Sequence, residues 1–404
     1  AIAIDEWMGA SPVYTARMQK LLGFEGDDVA TIFKGMQFDI GAPHGFLDFR
    51  YVVHDRDHGG FQLDHCGALM DVEPMGEDYV FSMCHDIEDP TFDATASATN
   101  PRARMRPLHR PPREPSDREP HCAWTVDIEP DAEPIPEAPI TAQIAECFLA
   151  GIPLPAIATG GPEVPHAPDV GGGPDGQDPS GALWDDYSGD LVDRIATERF
   201  SRSALLAIID EVCFQQHLLA HSFMVAVQNR QGTAAALELG EHQFIGSAGL
   251  SAHRLAAAVL AFGSDAQGSF GSASHEPLAV AADVLALHPA LHPRGLVVLA
   301  VERYGDELRL ELHEGPGTSP ESQLTWPAFL RDGSDGAIEA IVCAVDPLLR
   351  AQRIEAGSRR VATWRVWVAD TPAAQQPEVE MARFSTGTDF ELRRLEPTPV
   401  HITL

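Results

Sequence analysis

Apolar and polar residues alternate in two pairs of adjacent segments, and this pattern predicts two β-hairpins. The first pair covers residues 47–54 and 60–66, and the second covers residues 295–302 and 306–313. Successive side chains of a strand point to opposite faces of a sheet, so such alternation is typical of strands with one buried face. The polar run DRDHGG separates the first two strands and supplies a turn.

Each hairpin is followed by a helical pattern and then by one more strand. The predicted helices cover residues 73–85 and 336–353, and the predicted strands cover residues 121–128 and 360–369. Helical patterns also precede both hairpins. The order predicts an α+β fold in two domains, each with helices followed by hairpin, helix and strand. Because both domains follow one plan, we expect a diverged internal repeat.

A proline- and glycine-rich stretch divides the chain. Residues 131–190 contain few aromatic residues and cannot bury enough apolar surface to offset the entropy of ordering them, so they read as a linker. Only residues 140–150 within this stretch have a helical pattern. The sequence therefore predicts one domain over residues 1–130 and a helix-rich domain over residues 191–404.

The second domain begins with a long helical pattern that ends near residue 230. His217 and His221 lie four residues apart in it, on one helix face. Their neighbours are apolar, which favours a hydrogen-bonded core or interface pair over a metal site. In the next helical pattern, we expect Gly246 and Gly249 to interrupt the helix.

The charge balance narrows the classes of partner. Lys and Arg number 28 against 60 Asp and Glu, and the net charge of −32 disfavours nucleic acids and anionic membranes. No run of eighteen apolar residues and no basic leader followed by an apolar stretch is present, so no membrane span or secretory signal is expected. Six cysteines are few for a disulfide scaffold, which favours the cytoplasm. Homo-oligomer formation stays open.

The first hairpin collects an unusual number of chemically active side chains. If residue 54 faces residue 60 across the turn, then residue 50 faces 64 and residue 48 faces 66. One face of the sheet would then carry Arg50, His54, Asp64 and Cys66. His121, in the third strand, would point to the same side.

Further groups end the helix that follows this hairpin. They are Cys84, His85, Asp86 and Glu88. Imidazole, thiolate and carboxylate ligands suit Zn²⁺ or Fe²⁺, and an open coordination position would generate hydroxide from water. The expected metal ligands are His54, Asp64, Cys66, His121, Cys84 and His85. Asp86 or Glu88 would act as general base, and Arg50 would bind a substrate carboxylate.

These residues predict a metal-dependent hydrolase that acts on a C–N or related bond of a small, carboxylated substrate. The first alternative is a metal-free hydrolase with Cys66 as nucleophile and His54 or His121 as base. The second is a non-catalytic ligand-binding or assembly subunit, in which the Cys and His residues are structural. For Arg50, the alternative to substrate binding is a cross-strand ion pair with Asp64. The arginine-rich loop 100–120 would wrap onto acidic surface of its own chain or form a lid.

The first domain also resembles a known family. The hairpin, then LDHCGALMDVEPMGEDYVFSMCHDIED, then PHCAWTV, resembles the L-2-amino-thiazoline-4-carboxylate hydrolase-like family. The matching positions are Cys66, Cys84 with Asp86, and Cys122, and the similarity covers about 80 of the 404 residues. The resemblance implies an α+β fold and the opening of a small C–N ring.

Overall fold

The structure, a computed structural model, describes residues 1–158, 183–195, 197–265, 276–357, 360–387 and 391–392, without the side chains of residues 263–265. Helices and two antiparallel four-stranded sheets make up this part of the chain, which confirms the predicted α+β fold class in two parts.

Helices and strands follow one another in the same order twice. The helices are α1 (Ile2–Leu22), α2 (Val29–Met36), α3 (Gly67–Val72), α4 (Glu77–Phe81), α5 (Glu88–Ser97), α6 (Pro139–Ala145), α7 (Arg202–Gln231), α8 (Thr233–Asp265), α9 (Pro277–Leu287), α10 (Trp326–Asp332), α11 (Gly336–Val345) and α12 (Pro377–Ala382). The strands are β1 (Leu47–Val53), β2 (His58–Cys66), β3 (Ala103–His109), β4 (Cys122–Ile128), β5 (Leu299–Tyr304), β6 (Glu307–His313), β7 (Leu349–Ile354) and β8 (Arg360–Val368). We call α1–α6 with their sheet unit 1, and α8–α12 with theirs unit 2.

The two sheets have identical topology. Their strand orders are β1-β2-β4-β3 and β5-β6-β8-β7. In unit 1 the buried Trp124 faces Phe61, which faces Tyr51. In unit 2 the buried Trp364 faces Leu310, and Leu310 faces Val301. Trp124 and Trp364 are therefore equivalent positions.

The equivalence continues outside the sheets. The amide of Gly67 donates to Phe46 O at 2.7 Å, and the amide of Gly317 donates to Leu296 O at 2.9 Å. A later pair of hydrogen bonds matches as well. The amide of Ile135 donates to Pro101 O and that of Ala373 to Pro347 O, both at 2.7 Å. Loops and chain crossings thus repeat together with the strands, as expected of a duplicated unit.

Two strands were not predicted from the sequence. The arginine-rich segment 100–120, predicted as a loop, contains β3, and the predicted helix 336–353 ends at Val345 and is followed by β7. Each unit is therefore hairpin, helices, hairpin. Both strands lie at a sheet edge and are rich in polar residues: β3 contains Arg104 and Arg106, and β7 contains Arg350, Gln352 and Arg353.

The prediction of one continuous helix over residues 73–85 was also wrong. Residues 67–97 form α3, α4 and α5 joined by a 3-10 turn and by a π-helical segment, Ser82–Ile87. The predicted interruption of the next long helix was wrong, because α8 runs through Gly246 and Gly249. A Cβ on Gly249 would lie 2.5 Å from Val379 Cγ2, so these glycines allow α12 to approach α8.

Helix α7 packs against both α1 and α8 and joins the two units. The prediction of a core pair on this helix is confirmed. His217 and His221 are buried, with His217 Nε2 2.8 Å from His292 O and His221 Nδ1 2.9 Å from Leu324 O. Burial lowers the pKa of His217 to about 4. Both rings are therefore neutral donors to backbone carbonyls of unit 2.

Part of the predicted linker is ordered against unit 1. Helix α6 packs on α1 and α7, and residues 183–190 lie near α2. Residues 159–182, the centre of that prediction, lie outside the described residues. One helix of the described chain, α8, is long and apolar enough to cross a membrane over Thr233–Phe262, with a mean hydropathy of 1.3. It packs on α7, α9, α11 and α12.

Candidate functional site

The predicted polar face of the first hairpin is not formed, because the strand register differs. Arg50 faces Gln62 instead of Asp64, and a register shift between Asp48 and Phe49 places Leu47 opposite Cys66. The shift turns Cys66 into the core. His54 lies beyond the end of β1, exposed in the turn. The expected convergence of His54 with Cys66 on one face was therefore wrong.

Arg50 and Asp64 form an ion pair, which is the alternative to substrate binding that the sequence left open for Arg50. Arg50 Nε lies 2.9 Å from Asp64 Oδ2, and its other nitrogens reach Asp48 at 3.1 Å and Asp193 at 3.8 Å. The hydrogen bond with Arg50 lowers the pKa of Asp64. The guanidinium is occupied by carboxylates of its own chain, which leaves it poorly placed to bind a substrate carboxylate.

Cys66 and His121 do come together. The amide of Cys66 donates to His121 Nδ1 at 3.0 Å, and Cys66 Sγ accepts from the amide of Leu69 at 3.3 Å. The sulfur thus caps the start of α3. Because Nδ1 is an acceptor, the ring proton of His121 lies on Nε2, and burial lowers the pKa of His121. The ring nitrogen facing Cys66 binds its backbone amide, which places the pair in a structural role.

The three cysteines named by the family resemblance share one buried cluster. Cys66, Cys84 and Cys122 are all less than 8% exposed, and Glu88 lies within electrostatic range of them. Burial raises the pKa of Cys66 to about 12 and raises the pKa values of Cys84 and Cys122. Protonated thiols are weak nucleophiles and weak ligands, so this cluster has the properties of a core.

Glu88, the carboxyl group beside these thiols, has a strongly raised pKa. Burial raises the pKa of Glu88 to about 8, and its Oε2 is buried with no hydrogen-bond partner in the described part of the chain. The carboxyl is therefore largely protonated at neutral pH. The neighbouring candidates, His85 and Asp86, lie outside this buried cluster. Asp86 is exposed, and His85 Nε2 lies 2.7 Å from Pro111 O, with its ring stacked on Phe81.

Within the described ranges, no group of three or more His, Cys, Asp and Glu side chains could hold a metal ion. Of the six predicted ligands, His54 lies in an exposed turn and Asp64 in a surface ion pair, while Cys66, Cys84 and His121 are buried. The sixth, His85, is half-buried against Phe81. The metal-dependent hydrolase and the cysteine hydrolase stay predictions without an assembled site in this part of the chain.

The arginines after α5 wrap onto the acidic surface of unit 1, as one of the two sequence interpretations expected. Arg106 lies 2.9 Å from Asp93, and Arg113 forms two hydrogen bonds with Glu73 at 2.8 and 2.9 Å. Arg110 pairs with Asp89. These ion pairs hold β3 and the following loop against α5 and the segment before it.

Each unit also contains a groove that no sequence pattern indicated. A cavity of about 420 Å³ lies between α1, α5 and α6, and one of about 290 Å³ lies between α8, α11 and α12. Equivalent residues line both. The matching pairs are Ala98 with Ala344, Pro101 with Pro347, Ile135 with Ala373, and Thr141 with Val379. We call these two cavities the paired grooves.

Comparisons of the chain with protein-family models, with curated proteins and with solved structures found no match. The resemblance to the L-2-amino-thiazoline-4-carboxylate hydrolase-like family therefore stays an interpretation of the three cysteine positions.

Proposed function

We propose that this chain is a non-catalytic binding or assembly protein, built from two related units that each present a groove to partner molecules. The observation that carries this proposal is the recurrence of the paired grooves at equivalent positions of the two units. A cavity that recurs with its lining is the feature that a duplicated binding module would retain.

The Cys and His side chains of the predicted site in unit 1 have no counterparts in unit 2. From the equivalence of Gly67 with Gly317, Cys66 corresponds to Pro316. From the equivalence of Trp124 with Trp364, Cys122 corresponds to Ala362 and His121 to Val361. Unit 2 keeps the fold and the groove without these groups. Their contacts in unit 1 are accordingly those of a core and of a helix cap.

The lining of the paired grooves indicates what they would bind. Small apolar side chains and prolines form the walls, and the open side carries Glu137 in unit 1 and Gln375 with Arg383 in unit 2. Such a surface suits an apolar side chain of a partner, with polar contacts at the rim. We include the cytoplasm in this proposal, because all six cysteines are free thiols.

The test compares groove variants with a thiol variant of the full chain in its native host. Ala16 and Ala344 line the paired grooves, and Ala16 is exposed, so A16W and A344W would fill them without disturbing the sheets. Cys66→Ser keeps a cap acceptor for Leu69 and is the matched control. We expect a partner that co-purifies at fixed stoichiometry with the wild type and C66S, is reduced tenfold or more with A16W or A344W, and binds again when purified.

An enzyme would behave differently. About one equivalent of metal in the purified protein, or hydrolysis that is abolished by C66S and unaffected by A16W and A344W, would contradict the proposal.

A further inference from the structure

A segment of the chain without helix or strand covers one side of unit 1. Residues 187–194, which we call the strap, lie across α2 and β1. Lys34 Nζ donates to Tyr187 O at 3.0 Å, and Gln37 Nε2 donates to Val192 O at 2.7 Å. The Tyr187 hydroxyl donates to Gln37 Oε1 at 3.0 Å, and Leu191 packs against the core of the sheet. The strap is therefore bound by its backbone carbonyls and by apolar anchors.

Strand β1 holds the other end of the strap through charges. Arg194 lies 2.8 Å from Asp48, and Arg50 lies 3.8 Å from Asp193. These contacts bring the strap alongside β1, which is an edge strand of its sheet.

Among the described residues, nothing covers the equivalent side of unit 2, which is a groove. Tyr51 corresponds to Val301, so Asp48 corresponds to Val298 and Arg50 to Ala300. Val298 and Ala300 line a cavity of about 650 Å³ together with Leu285 in the last turn of α9. We call this cavity the β5 groove. The place that the strap occupies in unit 1 is thus a cavity in unit 2.

Apolar side chains in the β5 groove replace the charged side chains that hold the strap in unit 1. Where unit 1 has an acid and a base for the strap, the β5 groove has Val298 and Ala300, and Val298 is 37% exposed. The charged groups at the rim of the β5 groove have groups of opposite charge nearby. Asp210 lies within electrostatic range of His292 and Arg294, and His313 lies 3.9 Å from Glu311. Glu302 adds one acid to the lining. The groove therefore favours an apolar, uncharged occupant.

We propose that the β5 groove binds an extended apolar segment of a partner polypeptide, in the position that the strap takes in unit 1. The inference rests on the proposed binding function and names the kind of partner. A single length of polypeptide is expected because the equivalent site holds one, the strap. Strand β5 also pairs only with β6 in the described part of the chain, so its outer backbone groups face the groove and would complete the binding of such a segment.

The experiment replaces two residues of the β5 groove with the residues at the equivalent positions of unit 1. V298D/A300R installs the acid and the base of unit 1, which this fold already accommodates at the equivalent positions. Leu108→Asp is the matched control, because Leu108 is 69% exposed on an edge strand of the other sheet. The probe is a displayed library of random twelve-residue peptides, selected on the full-length wild type. Enriched peptides are then measured against all three proteins by fluorescence anisotropy.

We expect enriched peptides with apolar residues at alternate positions, at least tenfold weaker binding to V298D/A300R and unchanged binding to L108D. Equal binding to all three proteins, or no enrichment on the wild type, would overturn the inference. Self-association of the wild type in sedimentation that V298D/A300R abolishes would overturn it in favour of a second copy as occupant. If the partner of the paired grooves is still recovered while the peptides fail, the proposed function stands and only the β5 groove assignment is lost.

Discussion

Arg104 and Arg350 occupy equivalent positions in the two units and make the same contacts. Nη1 of each arginine donates to the carbonyls of the residues three and one before it, at 3.2 and 2.9 Å for Arg104 and at 2.9 and 2.7 Å for Arg350. Nη2 reaches Glu133 O at 2.6 Å in unit 1 and Thr371 O at 2.5 Å in unit 2. Each guanidinium ties an edge strand to the chain that leaves its sheet.

We expect R104A and R350A to lower the free energy of unfolding by about 1–2 kcal/mol each, because each removes charge-assisted hydrogen bonds to backbone carbonyls. The two losses should add, since the residues belong to different sheets. Urea unfolding of the single and double variants measures this. R104K and R350K should recover only part of the loss, because lysine lacks the planar fork. A full recovery would contradict the bidentate role.

Glu88 should make the stability of unit 1 fall with rising pH. The pKa of Glu88 is raised to about 8 in the folded chain, above the value of about 4.5 in the unfolded chain, so the folded state holds its proton more tightly. Its contribution is complete below pH 4.5 and is lost as the pH rises to about 8. We expect E88Q to be more stable than the wild type by roughly 3 kcal/mol at pH 8 and by little at pH 4.5.

Urea titrations at both pH values measure that difference for Glu88. D86N, which changes an exposed carboxylate two residues away, is the control and should have no such dependence. A constant difference between E88Q and the wild type across this range would show that Glu88 is ionised in the fold.

His217 and His288 should make stability depend on pH in the opposite sense. Burial lowers the pKa of each to about 4, below the unfolded value of about 6.5. The stability that depends on their neutral forms is complete above pH 6.5 and is lost as the pH falls towards 4. H217Q and H288Q should each remove up to about 3 kcal/mol of this dependence between pH 4 and 6.5.

Chemical unfolding at half-unit steps of pH provides the measurement for the histidines. The exposed His54 supplies the control, since H54Q should leave the curve unchanged. If H217Q and H54Q gave the same profile, the buried neutral state of His217 would be refuted.

Lys34 should hold the strap in place. Its ammonium donates to the carbonyls of Tyr187 and Gly189, and it lies 4.7 Å from the centre of the Tyr187 ring. We expect K34M to increase amide hydrogen exchange of residues 187–194 tenfold or more, with little change in β4. Lys20, the only other lysine of the chain, is exposed, and K20M should leave the strap protected. Exchange that is equally fast in both variants would assign the strap to other contacts.

Alternation of apolar residues located the two hairpins and the strands β4 and β8, because these strands have one buried face. It missed β3, because the proline- and arginine-rich composition of residues 100–120 indicated a loop, and it missed β7, because the predicted helix was extended to residue 353. The repeat was visible only as an order of elements. The structure supports it through equivalent backbone hydrogen bonds such as those of Gly67 and Gly317, which side-chain identity does not reveal.

The site prediction failed for a geometric reason. It assumed a regular hairpin, and one register shift beside Asp48 turned Cys66 from the polar face into the core. The sequence prediction placed Cys66 and Cys84 together as metal ligands, and only the family resemblance added Cys122 to them. The grooves could not be predicted, because small residues such as Ala98 and Pro101 line them through the packing of distant helices.

Helix α7 presents Glu211 to Arg17 of unit 1, at 2.6 Å, and turns His217 towards unit 2. Helix α7 therefore contacts both units through buried polar side chains. The distance between the paired grooves is consequently set by a helix and not by a flexible linker. A partner that engages both units must match that distance, and its second contact forms at an effective concentration that the geometry of α7 fixes in advance.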